Sequence, residues 1–223
     1  MKINILTVTT GREFYLRNLL TSFDKLSNWQ KHEVRYHIVY QGIPSDEFLD
    51  FLRKFKFNIL LSTTEYVHSI GAIMTKFKND VKSDYFWKLD DDAKLCSDNM
   101  LDHIEALCSI YPDAIFSPYP VGLINNPGGV PSKQHHVIYS GKNDTFYTLR
   151  KVAHIGGFAR IMPGYLLDRI HFSDSHSEDT ECASVFNALN LPMYYLENSL
   201  IVEHQESTLG QHERYKNYFN NRF

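Results

Sequence analysis

Short β-branched or apolar runs alternate along the chain with longer stretches whose apolar positions repeat every three to four residues. Ile3–Val8 has the length and composition of a buried strand and is closed by the polar turn Thr9-Thr10-Gly11-Arg12. Leu16, Leu19, Leu20 and Phe23 then recur at the spacing of one helix face. Val34–Tyr40 is a second strand, ending at the turn Gln41-Gly42-Ile43-Pro44. Asp46 and Glu47 open a helix carrying Phe48, Leu52 and Phe55, with its acids at the positive end of the dipole. Phe57–Leu61 is a third strand, and Ile70, Ile73, Met74 and Phe77 mark the cleanest helical stripe. Tyr85–Leu89 is a fourth strand and stops at Asp90-Asp91-Asp92; a helix through Leu101, Ile104 and Cys108 and a strand at Ala114–Phe116 follow. The second half is less regular. It predicts a long loop, a hairpin of Val137–Tyr139 and Phe146–Leu149 turning at Gly141–Asp144, and a helix from Asp179 to Leu189. Strands at Met193–Leu196 and Leu200–Glu203 are expected to close the sheet, before a polar, Tyr-rich tail.

Strand–helix alternation with short connections implies an α/β fold with a mostly parallel sheet and helices on both faces. Without repeats or a composition break, residues 1–223 read as one domain. Ligands of such sheets sit beyond the carboxyl ends of the strands, so the turns after Val8, Tyr40 and Leu89 should converge on one cleft. The net charge of −3 argues against a polycation that grips phosphate backbones. No apolar run approaches the roughly 20 residues of a membrane span, and the first residues lack a signal peptide's apolar stretch. Cys96, Cys108 and Cys182 form neither an even framework nor a paired motif, so the chain reads as cytoplasmic, with room for a peripheral association at the inner membrane face. Aromatic residues make up 14% of the chain, and most are expected in the core.

The sharpest chemical feature is Lys88-Leu89-Asp90-Asp91-Asp92. Adjacent carboxylates repel by about 1 kcal/mol per pair at 4 Å even in water. With no Arg cluster beside them in sequence they call for a cation, and hard ions such as Mg²⁺ or Mn²⁺ take oxygen ligands of this kind; a solvated acidic turn is the alternative. On an extended segment Asp90 and Asp92 would point to the same side. A second acidic cluster runs from Asp174 to Glu181; helix-dipole stabilisation accounts for Glu178 and Asp179, and deprotonation of a hydroxyl nucleophile is the functional alternative. His204, at the end of an apolar strand, is either a satisfied core residue or a metal ligand. His135-His136 carries little signal. Lys133, Lys142, Arg150 and Lys151 form a modest basic patch, read first as solvated surface and second as a contact for an anionic acceptor.

Taken in order, these features resemble the GT-A fold of nucleotide-sugar-dependent glycosyltransferases, most like the large family 2, over roughly residues 3–118 and 154–205. ILTVTTGREFYLRNLLTSF (5–23) resembles that family's first strand, nucleotide turn and helix. VHSIGAIMTKF (67–77) is similar to its N-x-G-x-x-x-A-x-N helix, and FWKLDDDAKL (86–95) to its aromatic strand ending in the DXD motif. IGGFARIMP (155–163), SEDTEC (177–182) and His204 resemble its Gly-rich acceptor-side strand, its Glu-Asp helix start and its late metal-binding His. The resemblance implies a donor half at about 1–118, an acceptor half at about 119–205 and a tail at 206–223. It implies that Asp92, His204 and Asp90 hold Mn²⁺ or Mg²⁺ on the donor diphosphate, and that Asp90 and Asp91 contact ribose and donor. Thr9, Gly11, Arg12, Gln41 and Ser69 would hold the nucleotide. Gly157, next to Gly156, would let backbone approach the sugar or acceptor, with Glu178 beside it, and Asp179 would be the base of an inverting transfer.

Two places depart from the family pattern. Gln41 stands where an Asp usually reads the base, and the turn reads Thr-Thr-Gly-Arg in place of Thr-Tyr-Asn-Arg. The QxxRW-type helix of processive synthases is missing, which favours transfer of one sugar, with UDP-sugar as the expected donor. Retaining transfer, a sugar nucleotidyltransferase and a catalytically inactive nucleotide- or glycan-binding domain remain as alternatives. The acceptor is open among glycan, glycolipid, protein and modified nucleobase. Residues 121–150 and the tail after His204 are expected to order over the donor.

Overall fold

The computed structural model describes residues 1–65, 67–80, 82–123, 135–140, 144–174, 178–207 and 210–211. One ten-stranded sheet forms its spine. The strands are β1 (Lys2–Thr9), β2 (Glu33–Gln41), β3 (Asn58–Thr64), β4 (Tyr85–Lys88), β5 (Ala93–Leu95), β6 (Ile115–Val121), β7 (His135–Ser140), β8 (Thr145–Val152), β9 (Ile161–Pro163) and β10 (Met193–His204). They lie in the order β3-β2-β1-β4-β9-β6-β10-β8-β7, with β5 paired to β10 off this path. β1, β2, β3 and β4 are mutually parallel, as are β6 and β10. The short β9 is antiparallel to both β4 and β6, so β1, β4, β6 and β10 all run in one direction. Their carboxyl ends therefore share one edge, the arrangement expected of a ligand cleft.

The helices are α1 (Glu13–Leu26), α2 (Asp46–Leu52), α3 (Ile70–Asp80), α4 (Met100–Ile110) and α5 (Glu178–Ala188). The stripes read from the sequence decide which face each helix buries. Leu16, Leu19, Leu20 and Phe23 of α1 are fully buried and join Phe48 of α2 and Leu101 and Ile104 of α4 on one side of the sheet. Met74 and Phe77 of α3 pack with Cys182 and Phe186 of α5 on the other. The period-2 alternation of β1 sends Ile3 and Ile5 to the first core and Leu6 to the second. Glu13 fastens the cleft end of this half. Its carboxylate accepts from the Tyr40 hydroxyl at 2.9 Å and from the Ser45 amide and hydroxyl at 2.8 and 2.6 Å. Ser45 in turn caps α2 by accepting from the Phe48 amide.

Two expectations change. The segments Met193–Leu196 and Leu200–Glu203 are one strand, β10, interrupted by a register shift between Leu196 and Ile201. Before the shift β10 pairs with β8 and after it with β5, so it lies inside the sheet and does not close it; the hairpin strand β7 is the edge. β5 escapes a pattern reading because three residues are too few to show a period. The hairpin forms as expected, but its turn at 141–143 lies outside the described residues, as do residues 124–134 and 212–223 of the segments expected to cover the donor. Among the described residues no helix is long and apolar enough to cross a membrane.

The two-sided core implies a contrast along α1. Leu19→Ala should cost about 2–5 kcal/mol, because a buried leucine leaves a cavity. Phe14→Ala, at a side chain 71% exposed on the same helix, should cost less than about 0.5 kcal/mol. Urea unfolding of both variants checks this; equal costs would contradict the assignment of the buried face.

Candidate active site at the carboxyl edge of the sheet

Residues 90–93 form a turn, with the Ala93 amide donating to the Asp90 carbonyl at 3.1 Å. The three aspartates therefore do not sit on an extended strand, and each meets different partners. Asp91 is buried and accepts from the Thr9 hydroxyl at 2.6 Å and from Arg12 Nε at 3.1 Å, with a further ion pair to Arg12 Nη2. Arg12 Nη1 reaches Asp92 Oδ2 at 2.8 Å. Asp90 turns the other way and pairs with Lys88 Nζ at 2.6 Å. Much of the repulsion among the three carboxylates is met within the chain, because the fold brings Arg12 from across the cleft and Lys88 from the end of β4 to them. Burial raises the Asp91 carboxyl to about 6 against the pull of Arg12, with Asp92 adding to the rise.

The case for a metal rests instead on what surrounds Asp92. His204, buried at the end of β10, places Nε2 3.4 Å from Asp92 Oδ2. Asp92, His204 and Glu206 each offer a ligand atom, and these atoms lie within 4.8 Å of one another. Two carboxylates and one imidazole form a donor set suited to a hard or borderline divalent ion. The Gln205 amide donates to the Asp92 carbonyl at 2.8 Å, which fixes the end of β10 against the aspartate turn. Asp90, by contrast, stands apart from this group with Lys88. Glu206 had no signal in the sequence beyond its closeness to His204.

The second half of the site is built around Gly157 and the start of α5. Lys88, nearly buried, donates to Asp90, to the Gly157 carbonyl at 2.9 Å, and lies 3.6 Å from Glu178 Oε1. Asp179 Oδ1 accepts from Arg160 Nη1 at 3.0 Å and takes a backbone hydrogen bond from Gly157. A β-carbon at Gly157 would collide with Asp179 Oδ1 and come 2.9 Å from both Glu178 Oε1 and Lys88 Nζ. The glycine is thus needed for close approach of backbone to these side chains within the protein. Burial opposes ionisation of Asp179, but Arg160 and Lys88 outweigh it and hold the carboxyl below the ordinary range. Glu178 beside it goes the opposite way, raised to about 7 by burial with Asp179 adding repulsion against Lys88. Lys88 and Arg160 are not among the residues expected at the site, although a lysine in FWKL and an arginine in FARIM carry a signal: a charge among strand apolars must find a partner.

The remaining expected residues are more dispersed. Gly11 takes a left-handed φ of +90° in the turn that presents Arg12. Gln41 is buried, and its Oε1 accepts from the His68 amide. Ser69 accepts from the Ala72 amide at the start of α3 and donates to Asp174 at 2.5 Å, so its hydroxyl hydrogen serves the fold. The basic patch is reduced: Arg150 is buried and paired with Glu197 at 2.9 Å, and Lys133 and Lys142 lie outside the described residues. A cavity of about 540 Å³ under α3, lined by His37, Val39, Leu60, His68 and Phe77 among others, contains none of the acidic residues.

The sheet with an aspartate turn after β4 at its carboxyl edge has the GT-A fold, which the solved structures it matches share. The sequence matches no protein-family model and no curated protein. Solved structures do match. S. aureus TarS 1-349 superposes with a TM-score of 0.65 at 18% identity, over 92% of this chain and 60% of that one. Its complex with UDP-GlcNAc gives 0.64 at 16%, over 93% and 60%. GalNAc-T7 with UDP, GalNAc and Mn²⁺ gives 0.66 at 9% identity, over 94% of this chain and 44% of that one. The chain thus spans three-fifths or less of the length of these structures.

The charge network has a measurable pH signature. Glu178 is raised from its ordinary 4.5 to about 7 in the folded chain, so the folded state holds its proton more tightly than the unfolded state. Stability from this group is present at low pH and lost as pH rises between those two values. Glu178→Gln has no such loss, and its stability relative to wild type should grow by on the order of 2–3 kcal/mol from about pH 5 to about pH 8. Urea unfolding in metal-free buffer checks this; a constant difference would contradict it.

Proposed function

We propose that the chain is a metal-dependent glycosyltransferase that moves one sugar from a UDP-sugar to an acceptor hydroxyl with inversion at the anomeric carbon. The observation that carries this reading is the pairing of two groups across the Lys88–Gly157 bridge. On one side lies the set Asp92, His204 and Glu206, and on the other an aspartate held ionised at the start of α5. The complexes of TarS with UDP-GlcNAc and of GalNAc-T7 with UDP, GalNAc and Mn²⁺ support a uridine donor and a divalent ion.

Asp92 and His204, with Glu206, would hold Mn²⁺ or Mg²⁺, which when bound neutralises the charge that develops on the leaving diphosphate. Arg12, already at the carboxylate turn, adds a fixed positive charge beside the same phosphates. Gln41 has its oxygen occupied by the His68 amide, so it offers its NH₂ as a donor to a base carbonyl such as those of uracil. Asp179 takes the proton of the acceptor hydroxyl as that oxygen bonds to the anomeric carbon. The bond from that carbon to the diphosphate oxygen breaks, and UDP leaves with the electron pair. Glu178, Asp90 and Lys88 line the path between the two halves.

Thermal unfolding with UDP, GDP, CDP, ADP and dTDP, each with and without Mn²⁺, tests the donor side. A nucleotide at 100 times its dissociation constant stabilises by about 2.7 kcal/mol. The shift should appear for UDP, require Mn²⁺, and vanish in Asp92→Asn; no shift with any nucleotide would overturn the donor assignment. UDP release from UDP-GlcNAc in the presence of an acceptor tests the base. Asp179→Asn should lose about 10²–10⁴-fold in rate while still binding UDP, and an unchanged rate would point to retaining transfer.

A further inference from the structure

Glu178 and Asp179 are adjacent and share the first turn of α5, Glu178 buried and Asp179 partly exposed, and their carboxyls shift in opposite directions. The groups facing Asp179 come from four places. Arg160, just before β9, donates to Oδ1; the Gly157 amide donates as well; Lys88 approaches from β4. Against these, Glu178 on its own helix and Asp90 after β4 repel it, while Cys182 of α5 and Tyr195 of β10 are nearby groups that stay neutral because burial raises both. Lys88 is shared, since it lies on Asp90 at 2.6 Å and Glu178 at 3.6 Å. Arg160 also favours the ionised form of Glu178 from a distance, but its one ion pair among the described residues is to Asp179.

Arg160 is also costly to the fold. It is 0% exposed, and among the described residues its Nε and Nη2 find no acceptor, while Nη1 has only a long 3.5 Å contact to the Ile155 carbonyl besides Asp179. A fully buried guanidinium with two unpaired donors destabilises relative to an apolar residue of similar volume, and the flanking Ala159, Ile161 and Met162 belong to the buried core. Core packing therefore does not explain the residue, whereas its single anionic partner does. Oδ1 is tied to Arg160, and the Asp179 side chain is still 36% exposed, so the carboxylate can be reached from the cleft.

We propose that Arg160 is a positioning residue that fixes Asp179 by Oδ1, presents its carboxylate to the acceptor hydroxyl, and selects Asp179 over its neighbour Glu178 as the ionised carboxylate of the pair. This rests on the reading of Asp179 as the base, and the test needs no substrate, so either can fail alone. The protein is labelled with ¹³C-carboxyl aspartate and glutamate, and the two resonances are identified by their loss in Asp179→Asn and Glu178→Gln. In wild type Asp179 stays ionised at about pH 4.5, while Glu178 titrates near neutrality. In Arg160→Met the Asp179 midpoint rises by one unit or more, and Arg160→Lys, which restores a charge, recovers at least half of that rise. A midpoint in Arg160→Met that matches wild type overturns the proposal. If Arg160→Met does not fold, exchange of the guanidinium protons decides: slow in wild type, and at least tenfold faster in Asp179→Ala. Equal exchange in the two overturns it as well. An arginine that served only the core, with no hold on Asp179, would alter stability without moving either readout.

Discussion

The ammonium of Lys88 is the contact on which both halves of the cleft depend. It is buried at the end of β4, the strand between β1 and β9, and it joins Asp90, the Gly157 carbonyl and Glu178. Burial alone would lower its pKa, but the surrounding carboxylates outweigh that and keep it charged. Removing one partner from such a buried pair typically costs 3–5 kcal/mol, since the other charge is left uncompensated. Gly157 is forced by the same contact, because a side chain there would occupy the space of Lys88 and both carboxylates. Arg12 and Arg160 repeat the device on either side, each bringing a cation from one element to carboxylates on another. The cleft is thus a set of fixed charges, preorganised by strands that all end at one edge.

That arrangement has a chemical consequence under the proposed reaction. A diphosphate leaving group and a hydroxyl nucleophile need opposite electrostatics within one cleft, positive at the phosphates and an ionised carboxylate at the hydroxyl. The topology supplies both by sending the turns after β1 and β4 to one side and the start of α5 to the other. The register shift in β10 contributes as well, since it lets one strand pair with β8 early and with β5 late and so deliver His204 to the Asp92 turn.

Most of the fold was legible in the sequence because helix and strand periods in the first half are long and clean, as in Leu16–Phe23 and Ile70–Phe77. The aspartate turn, His204 and the Glu178–Asp179 helix start were legible as residues; the strand-end rule joined only the turns after Val8, Tyr40 and Leu89, and the family resemblance added His204 and the helix start. What could not be read were pairings across sequence distance. Nothing near residue 90 announces that Arg12 neutralises Asp91 and Asp92, and nothing near residue 179 points to Arg160. β5 was hidden by its length, and β10 by the polar Glu197-Asn198-Ser199 that splits its apolar pattern in two.

The central claim is that Asp92 and His204 hold a divalent ion where the donor diphosphate binds. Its most direct measurement is an anomalous difference map, at the manganese edge, from crystals grown with UDP and Mn²⁺. The account predicts one strong peak within bonding distance of Asp92 and His204 and of the diphosphate oxygens. A cleft with UDP bound and no peak there, or a peak held by Asp90 and Glu178 in its place, would contradict it.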